Sequence, residues 1–357
     1  MSIGGASMLR AAAPRQLRAA VRALATVAAG DAPPIPLRPA SGLRAPYEVA
    51  IVGAPVSYGQ PLAGTELAPA ALRVAGLAAL VQGLGWRVAD TGDVAVPPAP
   101  AAGAGAAAAG TARNAATVGL ANERICAATH AAAAAGRLVL TVGGDHSVAM
   151  GSVAGVLAAR PSLGVVWVDA HADINAPQTS PSGNIHGMPL AFLLRHGVEP
   201  ARVDGFGWLQ RAPALSPSSV VYVGLRDLDV GEKHAVRALG IRAFTMRDVD
   251  RLGIGRVMDM ALEHLLERFP AGRPLHLSYD IDAVDPALAP ATGTRVPGGL
   301  TLREAHYVAE ALAETGLLGS MDMVEVNPSL APAAGGTAST VSLALDLVAS
   351  ALGKSIL

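Results

Sequence analysis

The run Val165-Val166-Trp167-Val168-Asp169-Ala170-His171-Ala172-Asp173-Ile174-Asn175 decides the fold. Its first four residues are apolar without alternation, the pattern of a strand buried on both faces of a parallel sheet. Polar residues begin where the apolar run stops. Asp169, His171 and Asp173 are spaced by two, so an extended chain points all three the same way. The pattern recurs four more times. Val142 leads into Gly143-Gly144-Asp145-His146-Ser147, and Val223 into Gly224-Leu225-Arg226-Asp227-Leu228-Asp229. Tyr279 leads into Asp280-Ile281-Asp282, and Val324 into Glu325-Val326-Asn327-Pro328. In open α/β sheets the ligand crevice lies outside the carboxyl ends of the strands. Five polar clusters at five such ends are therefore expected to face one site.

Working outward, the expected strands are Glu48–Val52, Leu138–Val142, Val165–Val168, Val220–Val223, Leu275–Tyr279 and Met321–Val326. Stretches with helical spacing lie between them, among them Pro69–Gln82, Ala115–Ala135 and Leu302–Thr315. This alternation predicts an α/β fold: a single three-layer domain with a doubly wound, mostly parallel β-sheet. The chain has 357 residues, ample to bury a sizeable core. Residues 97–112, rich in Pro, Ala and Gly, read as a low-complexity surface loop inside that domain.

Net charge is −1, which leaves no global basic footprint for nucleic acid. The positive mean hydropathy comes largely from alanine, since aromatic residues are only 3%. No run of about 18 apolar residues free of polar breaks appears, so no membrane-spanning helix is expected. A single cysteine, Cys126, excludes an internal disulfide framework and any cysteine-cluster metal site. The near-neutral total hides an asymmetry. Residues 1–45 carry six arginines and one acid, Asp31, a net of +5. An Arg- and Ala-rich, acid-poor start has the composition of an organelle transit peptide. Residues 1–44 are accordingly read as a transit peptide and linker, mitochondrial by expectation, and 45–357 as the catalytic domain.

The polar clusters offer Asp169, Asp173, Asp280 and Asp282 with His146 and His171, that is, four carboxylates and two imidazoles without sulfur. Such a donor set suits Mn²⁺, Fe²⁺ or Co²⁺ better than a structural zinc. Left bare, four clustered carboxylates repel and raise one another's pKa values. Two divalent cations cancel the four charges. Two metals about 3.5–4 Å apart can hold a bridging hydroxide, which predicts a hydrolase attacking a carbon electrophile.

These residues carry a resemblance. From Glu48 to about Ala351 the chain resembles the ureohydrolase superfamily, and within it the arginases. The motifs are Gly143-Gly-Asp-His146-Ser, Asp169-Ala-His-Ala-Asp-Ile-Asn175, Ser182-Gly-Asn-Ile-His186-Gly, Ser278-Tyr-Asp-Ile-Asp282 and Ala291-Thr-Gly-Thr294. The run from Ser182 to Gly187 is the one that points to arginases in particular. The resemblance implies two Mn²⁺ ions per subunit. One is held by His146, Asp169, Asp173 and Asp280, the other by Asp169, His171, Asp280 and Asp282, with Asp169 and Asp280 bridging. It implies hydrolysis of L-arginine to L-ornithine and urea, and a homotrimer or homohexamer.

Within that frame His186, Glu325 and Asp173 are the expected catalytic groups. His186 titrates in the range needed to protonate a leaving amine. A carboxylate at Glu325 pairs well with a fork-shaped guanidinium. The resemblance places Asn175 and Ser182, with Asn184 beside them, near the substrate α-carboxylate. It places Asp229 near the α-ammonium with Glu232 assisting, and Thr294 near the guanidinium. Asp229 and Glu232 also read as a helix cap before Lys233–Leu239. Ser180 and Pro181 stand where arginases usually carry threonines. Gly59-Gln60-Pro61 reads as a loop at the site rim. The other six histidines (His130, His196, His234, His264, His276, His306) have no comparable context.

Two rival readings share these motifs. An agmatinase-like or other guanidino or formimino hydrolase would keep every metal ligand, but agmatine lacks the carboxylate that Asn175 and Ser182 suit. A catalytically silent relative is expected to lose ligands or the shuttle, and none is lost here.

Overall fold

The computed structural model describes residues 47–98, 112–269, 272–330 and 335–354. The targeting reading of residues 1–44 and most of the low-complexity loop lie outside them. Eight strands form one sheet: β1 (Glu48–Ala54), β2 (Arg87–Asp93), β3 (Leu138–Gly143), β4 (Gly164–Val168), β5 (Val220–Leu225), β6 (Arg242–Thr245), β7 (Leu275–Asp280) and β8 (Leu318–Val324). Their order is β2-β1-β3-β8-β7-β4-β5-β6, and every pairing is parallel. The five strands that end in polar clusters are the contiguous central set β3-β8-β7-β4-β5, so the clusters converge as expected.

All six expected strands are present, and the sequence reading missed two. Both are the sheet edges, β2 and β6. Each is half exposed and carries charged residues, so neither shows the continuous apolar run of a strand buried on both faces. The expected helix Pro69–Gln82 is two helices, Ala68–Val74 and Leu77–Gly83. Gly76 separates them with φ 100°, a left-handed conformation that a glycine adopts without strain.

Helices cover both faces of the sheet. The segments 68–83, 246–266, 302–314 and 336–351 bury one core against it, and 115–134, 149–159 and 189–194 bury the other. Two glycines have a packing role in the second layer. A Cβ at Gly151 would lie 2.5 Å from the Asn122 carbonyl oxygen, and one at Gly155 would lie 2.4 Å from that of Cys126. Helices 115–134 and 149–159 therefore touch backbone to backbone, which requires small side chains.

One polar group is sealed in the core. Asp322 on β8 faces His276 Nε2 on β7 at 3.2 Å and accepts a hydrogen bond from Ser152, while His276 Nδ1 meets Ser320 Oγ at 2.8 Å. Asp322 and His276 are fully buried, and Asp322 is held below its usual pKa because the His276 contacts outweigh the cost of burial. Asp322→Ala leaves a buried histidine and serine unpaired. It is expected to lower the unfolding free energy by about 3–5 kcal/mol. The midpoint of urea unfolding measures this.

Candidate metal centre and substrate cleft

The strand ends fix their side chains through neighbours two residues away. Asp169, directly after β4, accepts Trp167 Nε1–H at 3.0 Å on one oxygen and the His171 backbone N–H at 2.6 Å on the other. Asp280, the last residue of β7, accepts the Asp282 N–H at 2.8 Å. Asp282 in turn accepts the Ala170 N–H at 3.2 Å and the Thr294 hydroxyl at 2.8 Å. His146 stacks on Trp167 with ring centroids 4.1 Å apart, and its Nε2 meets Ser278 Oγ at 2.9 Å. That leaves His146 Nδ1 facing Asp169, Asp173 and Asp280 oxygens at 3.0, 3.0 and 3.2 Å.

Two groups can each hold a metal ion: His146, Asp169 and Asp280, and Asp169, His171 and Asp282. His171 Nδ1 lies 3.3 Å from Asp169 and 3.2 Å from Asp282. Asp169 is common to both groups. Asp280, expected to bridge as well, falls only in the first. Burial and the Asp169 charge raise Asp173 to about 6, and burial with the charges of Asp282 and Asp169 raises Asp280 well above the carboxylate range. The repulsion expected of a bare cluster is thus present.

Above these carboxylates lies a cleft of about 110 Å³. His171, Asp173 and Asp280 form its floor. Asn175, Ser182, Asn184, His186, Asp229, Glu232 and Thr294 line its walls together with Ser180 and Pro181. His146, Asp169 and Asp282 lie buried beneath the floor. Asn175 donates to Asp229 at 2.7 Å and accepts from Thr179 at 2.8 Å. Asp229 and Glu232 form a reciprocal capping box on helix Val230–Leu239, so the helix-cap reading holds alongside their place in the cleft. Burial and Asp173 raise Glu232 to about 7. Thr294 reaches the cleft while orienting Asp282.

Glu325 does not line the cleft. It is 1% exposed and sits behind His186, with Oε1 3.1 Å from His186 Nδ1 and 2.9 Å from the His146 N–H that it accepts. Burial disfavours a charged His186, but the Glu325 hydrogen bond and charge prevail and hold it at about 9. Glu325 and Asp173 both have positive φ, 62° and 50°, a left-handed conformation uncommon for residues with a Cβ. Strain of this kind gathers where a side chain must be aimed.

Residues 47–353 match the arginase family. The chain belongs to the arginase family. A hepatic arginase of Aquarana catesbeiana is 45% identical over 87% of this chain and 94% of its own length. The Arginase-2, mitochondrial of Bos taurus is 46% identical over 86% of this chain and 85% of its own. The arginase structure from Bacillus caldovelox superposes with TM-score 0.79 at 39% identity, covering 87% of this chain and all of that one. Family membership and the two clusters together make this chain a metal-dependent hydrolase, and no helix among the described residues is long and apolar enough to cross a membrane.

Within this arginase-family site, sequence reasoning gave no role to four residues that shape it. Trp167 and Ser278 sit two positions before Asp169 and Asp280 on the same strand faces, a signal that period-two spacing carries. Asp145 was quoted within its motif only. Its oxygens accept the Gly59 N–H at 2.7 Å and the Ser147 N–H at 3.0 Å. Gln60, in the rim loop, donates to Glu325 Oε2 at 2.6 Å. None of the other six histidines lines the cleft.

Proposed function

We propose that this chain hydrolyses L-arginine to L-ornithine and urea with a pair of manganese ions. The observation that carries the reading is one cleft. At and beneath its floor are two histidine–carboxylate clusters sharing Asp169, and His186 in its wall is backed by the buried Glu325. The fit to metal ions rests on His146 Nδ1, a buried nitrogen that faces three carboxylate oxygens and makes no hydrogen bond. Three carboxylates around one buried ring nitrogen call for positive charge there: they raise His146 well above its usual pKa against the cost of burial, and a metal ion would supply that charge in place of the proton. His146, Asp169, Asp173 and Asp280 would hold one ion, and Asp169, His171, Asp280 and Asp282 the other. Oxygen and imidazole donors without sulfur suit Mn²⁺, Fe²⁺ or Co²⁺, and the family resemblance selects manganese among them. When bound, such a pair supplies a water acidic enough to attack at neutral pH.

The protein's own groups then divide the work. Asn175, Ser182 and Asn184 offer amide and hydroxyl donors to the α-carboxylate, and Asp229 with Glu232 accepts from the α-ammonium. Glu325 supplies negative charge toward the guanidinium, and Thr294 flanks it. Asp173 can hold the proton of the attacking water at the cleft floor. His186, protonated beside Glu325, delivers a proton to the leaving amine.

The test is urea release by the full chain, with L-arginine and with agmatine, each with and without Mn²⁺ after chelation. Manganese-dependent urea from arginine is expected. Agmatine, which leaves the carboxylate donors unpaired, is expected to have a kcat/KM lower by at least about a hundredfold. Comparable rates for the two would overturn the arginine assignment. The same reading carries a homotrimer or homohexamer. It also carries mitochondrial delivery by residues 1–44, supported by their net charge and by relatives named mitochondrial.

A further inference from the structure

The segment after β1 meets the site at three points within two residues. The Gly59 N–H donates to Asp145 at 2.7 Å, and the Gly59 carbonyl accepts the His186 N–H at 3.1 Å. Gln60, 7% exposed, donates its amide to Glu325 Oε2 at 2.6 Å. The segment is itself anchored, since Asn114 donates to the Tyr58 carbonyl at 2.9 Å and the Asp145 N–H to that of Val56 at 2.8 Å. On the far side a Cβ at Gly293 would lie 2.7 Å from Gln60 Oε1. Gly293, in the Ala291–Thr294 turn, therefore leaves room for this amide between Glu325 and the turn.

The acceptor count on Glu325 gives Gln60 its meaning. A carboxylate has about four acceptor positions. Oε1 already faces the His146 N–H and His186 Nδ1, and Oε2 takes the Gln60 amide. One position is left, on the oxygen that Gln60 holds.

We propose that Gln60 is a positioning residue for the reaction: its amide fixes the plane of the Glu325 carboxylate behind His186 and so keeps the one free acceptor position, on Oε2, for a substrate guanidinium that reaches it. The proposal rests on the arginine-hydrolase reading above. Gln60→Met keeps the length of the side chain and removes the donor. A charge-assisted hydrogen bond is lost, so kcat/KM for L-arginine is expected to fall about 10- to 100-fold. L-Ornithine has no guanidinium, so its inhibition constant should change less than about twofold, with manganese content unchanged. A loop that merely folds worse would weaken ornithine and arginine alike.

An arginine kcat/KM within about twofold of wild type overturns the proposal. So does a loss matched by weaker ornithine inhibition or lower manganese content. If Gln60→Met does not fold, Gln60→Asn, whose amide is too short to reach Glu325, is judged by the same comparison. Wild-type protein that releases no urea from arginine would instead overturn the reading beneath it, whatever Gln60 does.

Discussion

Asp169→Asn is expected to lower kcat for urea release from L-arginine by about a thousandfold or more, with at most one manganese ion retained per subunit. Asp169 is the carboxylate shared by the two clusters, so its loss strips a donor from both at once. Asparagine cannot restore the geometry. Both Asp169 oxygens already accept protein N–H groups, from Trp167 and His171. An amide nitrogen at this position would face one of those donors, placing donor against donor. The charge balance shifts as well, because the Asp169 charge is among the causes that raise Asp173, Asp280 and Asp282. Elemental analysis of the purified variant and the rise in melting temperature on adding manganese measure the effect. Ions that bind only the folded state stabilise it, so wild type should gain and the variant should gain much less. Two ions per subunit with more than a tenth of wild-type activity would refute the shared-carboxylate role.

The parts of the fold legible in sequence were those with one unambiguous physical cause. The central strands lie between two helical layers and are buried at every position, so apolar residues dominate them; β3, β4 and β5 stand out for that reason, while β7 and β8 also enclose His276, Ser278, Ser320 and Asp322. Edge strands face water on one side and pair on one side only. In β2 the run Arg87–Asp93 mixes charge with small residues and reads as loop. The metal-type clusters were legible because they are encoded by spacing: Asp169 and His171 on one segment, Asp280 and Asp282 on another; Asp173, also expected as a ligand, faces His146 but falls in neither group. What stayed hidden is encoded by contact across the sequence. Gln60 meets Glu325 across 265 positions and Asp145 meets Gly59 across 86, and no periodicity announces either. Asp322 is hidden in the same way. It is an acid within an apolar strand, answered inside the core by His276 from the neighbouring strand, 46 positions away in sequence.

His186→Asn is expected to reduce kcat for L-arginine by about 10²–10⁴-fold, the usual range for a positioned general acid, with KM changed only a few-fold. The argument is geometric first. His186 lines the cleft, its backbone N–H is tied to the Gly59 carbonyl, and its ring is tied to Glu325, so the imidazole is held in one place against the cleft. Its protonation state then sets a pH limit. Burial alone would strip the proton, and the Glu325 hydrogen bond and charge outweigh burial to hold His186 at about 9. Only the protonated ring can donate to the leaving amine. Wild-type kcat is therefore expected to be sustained below this value and to fall as pH rises through about 9. Glu325→Gln removes the negative partner while burial remains, so the alkaline limb should move to lower pH. His186→Asn has no proton to lose and should show no such limb in its residual rate. Because His186 is not among the metal-type clusters, manganese content should match wild type in both variants. A His186→Asn enzyme with kcat within about threefold of wild type, or one that keeps the alkaline limb, would assign the proton delivery to another group.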